Sequence, residues 1–215
     1  MKRLDEYLNQ PVLPVLVIED AAKAVALAQA LKAGGLKAIA VAFRTKAAAE
    51  SIRRIREALP DLMVGVGTVV TPDQAMAALD SGAMFGLAPG LDPEIIKRFH
   101  ARGVPFMPGV MTPSEIQQGI RLGCLCQKFF PAETGGGPAQ LRAMAAPFQG
   151  FGVKFCPTGG VHLNNMNSYL VMKEVFTVGG SWLATTEQIA GEKWDEIRLQ
   201  VQHSLASAAT PPPEV

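Results

Sequence analysis

One lysine sits where a strand should bury apolar surface. In "CLCQKFFPAE" (124–133), Lys128 falls between Cys126 and Phe130 at period two, with Phe129 on the opposite face. Cys124, Cys126, Lys128 and Phe130 share one side, and both sides are apolar, as in a buried parallel strand. An ammonium group in such a place is costly unless it is paired or loses its proton. Lys128 either snorkels to water from near a strand end, or it faces inward, is desolvated, and becomes a nucleophilic amine. The second case gives imine chemistry on a carbonyl. Arg44 offers the planar fork that holds a carboxylate through two hydrogen bonds, its plainer role being a surface salt bridge. Thr68 could add a hydrogen bond to the same group. Two glycine-rich turns, "PTGG" (157–160) and "VGGS" (178–181), would let backbone N–H groups approach oxygen atoms. Either turn alone could be purely structural. An amine, a carboxylate clamp and a phosphate cradle would suit a keto acid with a distal phosphate.

Other reactive residue types read as bystanders. Glu133 is the nearest acid to Lys128 in sequence, but it lies in a glycine-rich loop and reads as structural. His100, His162 and His203 are far apart, without an HExxH or a second ligand nearby, and read as surface or loop histidines. No metal and no cofactor are expected. The three cysteines are odd in number and match neither a disulfide framework nor a four-ligand zinc pattern.

These residues need a scaffold, and the chain spells one out. Eight short β-branched runs alternate with helical stretches: 12–18, 38–43, 63–68, 84–89, 105–109, 124–131, 152–158 and 175–181. Three helices open with Thr71-Pro72, Asp92-Pro93 and Thr112-Pro113, an N-cap followed by proline. They stop at Gly82, Gly103 and Gly123. Eight strand–helix units predict a compact α/β (β/α)8 TIM barrel; the competitor, a doubly wound open sheet, lacks its GxGxxG after the first strand. The chemistry-bearing residues then fall at C-terminal strand ends, where barrels carry their sites, and the two glycine turns follow strands seven and eight, where barrels often bind phosphate. Residues 1–11 predict a short helix before the first strand, closing the barrel bottom. Residues 1–209 read as a single domain and 210–215 as a Pro-rich disordered tail. In the last helix, Trp194, Ile197 and Val201 at i, i+3, i+7 predict ordinary packing.

Bulk properties exclude several classes. Of 215 residues, 48% are hydrophobic and 18% charged, an ordinary globular mixture. A net charge of +1 gives no field for nucleic acid or an anionic membrane. No apolar run approaches the ~18 residues of a membrane span. The start, "MKRLDEYLNQ", lacks the apolar core of a signal peptide. A cytoplasmic setting is expected.

The segments "PVLPVLVI", "FRT" (43–45), "GVGTV" (65–69), "MPGVMTPSE", "QKFFPAE" (127–133), "FCPTGGV" and "VGGSWL" (178–183), in that order, closely resemble the 2-keto-3-deoxy-6-phosphogluconate (KDPG) aldolase family, also active on 4-hydroxy-2-oxoglutarate. The resemblance runs through nearly the whole chain. It implies a class I aldolase on a (β/α)8 barrel, a homotrimer, and cleavage of KDPG to pyruvate and glyceraldehyde 3-phosphate. Lys128 would form the Schiff base with the C2 ketone. Arg44 and Thr68 would hold the pyruvate carboxylate. Thr158, Gly159, Gly160, Gly179, Gly180 and Ser181 would line the distal hydroxyl and phosphate end.

One stretch departs from the family. Its pattern "LEVTLRT" is here "IAVAFRT", which puts Ala40 where the general acid–base glutamate is expected and Ala42 where threonine is usual. General acid–base groups contribute typically ~10²–10⁴-fold in rate, so impaired turnover is expected. Thirteen alanines fall between residues 21 and 49, and "TKAAAE" (45–50) reads as a smooth, exposed surface. That suggests an alternative: an engineered trimeric building block for a designed self-assembling complex, with further trimers or a second component as partners. A natural family member that has lost or relocated its base is the third reading.

Overall fold

The computed structural model describes residues 3–208. The Pro-rich tail at 210–215 and residue 209 lie outside the described residues. Nine parallel strands form: β1 (Val12–Leu16), β2 (Ala38–Ala42), β3 (Met63–Gly67), β4 (Gly86–Leu87), β5 (Phe106–Met107), β6 (Gly109–Val110), β7 (Cys126–Phe129), β8 (Lys154–Pro157) and β9 (Val178–Gly180). The helices are α1 (Leu4–Tyr7), α2 (Ala24–Ala33), α3 (Ala48–Ala58), α4 (Pro72–Asp80), α5 (Pro93–Ala101), α6 (Pro113–Arg121), α7 (Gly137–Ala145), α8 (Met166–Leu170), α9 (Thr186–Ala190) and α10 (Trp194–Ala208).

The strands run β5-β4-β3-β2-β1-β9 in one ladder and β6-β7-β8 in another. The two ladders are parts of one ring. Only Pro108 separates β5, which pairs with β4, from β6, which pairs with β7. Parallel bridges Phe155–Val175 and Thr158–Gly179 join β8 to the approach and body of β9. The result is an eight-staved TIM barrel. The run 105–109 is therefore not the single strand expected from sequence. Proline has no N–H to give to a ladder, and the stave changes partner across it. The fourth stave is also short, two paired residues where six were expected.

The caps behave as their residue types dictate. The side chains of Thr71, Asp92 and Thr112 accept N–H bonds from the first turns of α4, α5 and α6. Gly82, Gly103 and Gly123 follow with φ of +89°, +69° and +77°, the left-handed step that ends each helix. Apolar packing falls into two bodies. The larger lies between sheet and helices and includes Ile197 and Val201 of α10, with Trp194 packed at its edge. The smaller fills the barrel interior with Leu13, Ala38, Ala40, Phe85, Leu87, Met107, Cys126 and Cys156, and Leu4 and Leu8 of the α1 region close its N-terminal end.

Most of the alanine-rich stretch is packing, with only Ala22 and Ala33 exposed. Ala24, Ala28, Ala30, Ala38, Ala40, Ala42 and Ala48 are buried. In "TKAAAE" none of the three alanines is exposed: Ala48 is buried, and Ala47 and Ala49 are half-buried. The smooth exposed surface expected there is absent because α3 lies directly against α2 and β3. Small side chains let these elements approach closely. At the end of α2, a Cβ on Gly34 would stand 2.7 Å from Val201.

Gly109 sets another close approach. A Cβ there would meet the carbonyl oxygen of Pro89 at 2.0 Å and its carbon at 2.2 Å. Both are backbone, so neither can swing aside. Gly109→Ala is expected to destabilise the fold by about 1–3 kcal/mol, lowering the thermal midpoint by roughly 2–4 °C per kcal/mol in a chain of this size. A thermal melt with an unchanged midpoint would contradict this packing.

Candidate active site

The C-terminal ends of β1, β2, β3, β7, β8 and β9 surround a cavity of about 360 Å³. Lys128 comes up from β7. Its side chain points inward, its residue is 4% exposed, and its nitrogen sits 4.5 Å from the centroid of the Phe130 ring. Its ladder neighbours are Gly109 and Cys156. At Gly109 the Pro89 backbone takes the place of a side chain. No carboxylate among the described residues lies within ion-pair distance of Lys128. Burial without a counter-charge pushes its pKa down to about 8, only slightly offset by the neighbouring Cys156. Burial also raises the Cys156 thiol to about 11, so that group stays protonated at neutral pH.

Arg44 follows β2 and leaves an exposed guanidinium at the cavity wall, again without an acidic partner among the described residues. The surface-salt-bridge reading of Arg44 therefore has no partner to support it. Thr68 follows β3 with φ of +61°. A β-branched residue in the left-handed region is strained, and such strain persists only where flanking structure imposes it. Here Gly67 accepts from the Phe43 N–H at 2.7 Å and the Val69 N–H donates to Leu87 at 3.3 Å, pinning Thr68 from both sides. Nothing in the sequence announces that geometry.

Beyond β8, Thr158 is buried and its hydroxyl donates to the Cys156 carbonyl at 3.3 Å. Gly159 and Gly160 then take φ of +95° and +80°. A Cβ at Gly159 would press on the Phe130 ring at 3.0 Å, and one at Gly160 on Glu133 Cβ at 2.7 Å. The backbone N–H groups of Gly160, Val161 and Ser181 have no acceptor among the described residues. Three free donors around one hollow are the arrangement that can receive an anion. No long helix supports it, since α8 and α9 start several residues downstream.

Glu133 stays outside the cavity lining. It accepts a hydrogen bond from the Tyr169 hydroxyl, and its N–H donates to the Gly159 carbonyl at 3.0 Å. It braces the glycine turn, in keeping with a structural role. Burial and the Glu133 carboxylate together raise the Tyr169 pKa.

The structure brings Arg44, Thr68, Lys128, Thr158, Gly159, Gly160, Gly180 and Ser181 into one lining. Two expected residues are not in it. Gly179 pairs with Leu13 of β1 and lies under Thr158, whose Oγ1 would be 2.4 Å from a Cβ at 179. Its role is to leave room for Thr158. Ala40 is fully buried in the interior cluster beneath the cavity, while Ala42, two residues on, reaches the lining. Sequence reasoning missed Val15, Val17, Pro89, Phe130 and Val161 as lining residues. Phe130 shares a face with Lys128 and could have been found from period two; the others have no reactive group to draw notice.

Two side assignments also change. Cys124 precedes β7 and packs outside the barrel, 3.9 Å from His100 Nε2, rather than sharing the inner face with Cys126. Residues 124–125 lie outside the strand, which begins at Cys126, so strand alternation does not extend back to Cys124. His100 is correspondingly half-buried on α5, neither surface nor loop, and burial lowers its pKa. His162 lies in an exposed loop, and His203 is exposed on α10. No cluster of three or more His, Cys, Asp or Glu among the described residues could hold a metal ion. No helix among them is long and apolar enough to cross a membrane.

A buried, weakly basic amine, an unpaired guanidinium and a group of free backbone N–H donors share one lining at the C-terminal mouth of a (β/α)8 barrel. The chain belongs to the family of KDPG and KHG aldolases, whose sequence model matches residues 4–200. It is 40% identical over 198 residues to the 2-dehydro-3-deoxy-phosphogluconate aldolase of Dickeya dadantii, covering 92% of each chain. It is 38% identical to the KHG/KDPG aldolase of Escherichia coli K12, again with 92% of each chain covered. Among solved structures, the KDPG aldolase of Legionella pneumophila, with pyruvate captured as a covalent carbinolamine, superposes with a TM-score of 0.88 at 36% identity. That match covers 93% of this chain and 96% of the other.

Proposed function

We propose that this chain is a class I aldolase that cleaves KDPG to pyruvate and glyceraldehyde 3-phosphate, with Lys128 as the imine-forming residue. The observation that carries the proposal is Lys128 itself: buried, unpaired, and facing a cavity large enough for a small keto acid. Arg44 and Thr68 bind the substrate carboxylate. The neutral Lys128 amine attacks C2, and loss of water gives an iminium. The iminium draws in the electrons of the C3–C4 bond as the C4 hydroxyl gives up its proton. The aldehyde product leaves, the enamine takes a proton at C3, and water releases pyruvate and the free amine. Gly160, Val161 and Ser181 hold the distal phosphate. The same cycle accepts 4-hydroxy-2-oxoglutarate, without the phosphate contacts. A homotrimer in a cytoplasmic setting, without a bound cofactor, completes the proposal.

The protons are the weak point. The cavity lining among the described residues contains no carboxylate. Water must carry the protons that a glutamate at position 40 would carry, so turnover is slow. The alanine-rich stretch lends little support to the alternative of a designed assembly module, because seven of its thirteen alanines are buried within the chain and only Ala22 and Ala33 are exposed.

The test is pyruvate release from KDPG as a function of pH. Only the neutral amine attacks, and its folded pKa lies below the ordinary lysine value. Activity is therefore lost as pH falls through about 8, with about one amine in a hundred neutral at two units below. The log of kcat/KM should rise with pH at a slope near one and level off above that point. A flat profile from pH 6 to 8 would contradict a free Lys128 amine as the nucleophile.

A further inference from the structure

The cavity does not end at the glycine turns. A second hollow of about 350 Å³ adjoins it, and Val17, Gly160, Val161 and Ser181 belong to both linings. The outer hollow also takes in His162, Thr185, Thr186 and Glu187.

The loop carrying His162 is held in one shape. The His162 N–H donates to Asn165 Oδ1 at 2.8 Å, and the Asn165 side-chain amide donates to the Gly160 carbonyl at 3.0 Å. The Asn164 N–H donates to His162 Nδ1 at 3.2 Å. With Nδ1 accepting, the neutral ring carries its proton on Nε2, which becomes a donor. Nε2 has no partner among the described residues. The same asparagine that fixes the ring's backbone thus fixes Gly160, whose N–H is one of the three free donors.

We propose that His162 is a further ligand of the substrate's distal phosphate, donating from Nε2 to a phosphoryl oxygen already held by the Gly160, Val161 and Ser181 N–H groups. The inference rests on the aldolase reading for the identity of the phosphate ester. It makes His162 a specificity residue, acting on phosphorylated substrates and not on 4-hydroxy-2-oxoglutarate. Glu187 lines the same hollow and opposes an anion there, so Nε2 and the three N–H groups act against its charge.

The experiment titrates sn-glycerol 3-phosphate into the intact protein, His162→Ala and His162→Gln at fixed ionic strength. A hydrogen bond to a charged group predicts about tenfold weaker binding in His162→Ala. His162→Gln, whose amide restores a donor near Nε2, should stay within about threefold of the parent. In turnover, His162→Ala should raise KM for KDPG by the same factor as the dissociation constant, with kcat little changed and 4-hydroxy-2-oxoglutarate unaffected. An unchanged dissociation constant in His162→Ala would overturn the inference. So would equal losses on both substrates, which would mark a purely structural loop residue. If the parent protein binds no phosphomonoester at all, the inference fails outright. If it binds the phosphomonoester but forms no imine with pyruvate, the aldolase reading fails and the anion role of His162 stands.

Discussion

Ala40→Glu should raise pyruvate release from KDPG by about 10²-fold or more, the contribution expected of a positioned general acid–base group. Carbinolamine formation, dehydration and C–C cleavage each move a proton, and the cavity lining among the described residues has no carboxylate to move it. Position 40 suits the missing group. It lies on the inward face of β2, between Val15 of β1 and Gly65 of β3 in the ladder. Gly65 has no side chain, but the Phe85 ring fills that space, 2.3 Å from where its Cβ would stand, so a glutamate at position 40 must pass beside the ring. Ala42, roughly 6–7 Å further along the strand, already lines the cavity, so a glutamate rising from position 40 reaches toward the reacting atoms. Burial among Leu13, Phe85, Leu87 and Met107 would raise its pKa. That keeps both protonation states accessible near neutral pH, as a shuttle requires. Burying a carboxyl in that cluster also costs stability, so the melting temperature should fall while the rate rises. A folded Ala40→Glu variant with the parent's rate would mean that another group already carries the proton.

The second large effect is removal of the amine. In the Ala40→Glu background, Lys128→Ala should lower kcat/KM for KDPG by on the order of 10⁴-fold or more, the scale on which enzymes lose rate when the nucleophile is deleted. Among the described residues no other lysine lines the cavity, so none of them can take over imine formation. In the parent chain, where no carboxylate among the described residues pairs with the amine, truncation relieves the cost of burying it, so Lys128→Ala alone should melt no lower than the parent. Loss of activity together with loss of fold would leave Lys128 as a packing residue and contradict its role as a nucleophile. Steady-state kinetics and a thermal melt on the same preparation separate the two outcomes.

Lys128 was legible because its type conflicts with its surroundings: a charge in an apolar strand is visible at period two. The glycine turns were legible because their place after the last two staves is set by strand counting. The caps of α4, α5 and α6 were legible because Thr-Pro and Asp-Pro are local signals. What was not legible depends on tertiary contact. Pro108 splits a stave only because its two halves have different neighbours. Thr68 is strained only because Gly67 and Val69 are each tied to another strand. Gly179 looked like its neighbours Gly180 and Ser181, but strand alternation turns it under Thr158 rather than into the cavity. "TKAAAE" looked exposed because alanine carries no marker of which side it faces. His162 was passed over for a related reason: a lone histidine in a loop gains meaning only when Asn164 fixes its tautomer and a hollow opens beside it.

The central claim is that Lys128 forms an imine with a 2-keto acid. The most direct test is borohydride reduction of the protein in the presence of pyruvate, followed by intact mass and peptide mapping. The account predicts one carboxyethyl group per chain, located on Lys128, formed at pH 8 and much more slowly at pH 6. Absence of the adduct at pH 8, or its appearance on other lysines in place of Lys128, would contradict it.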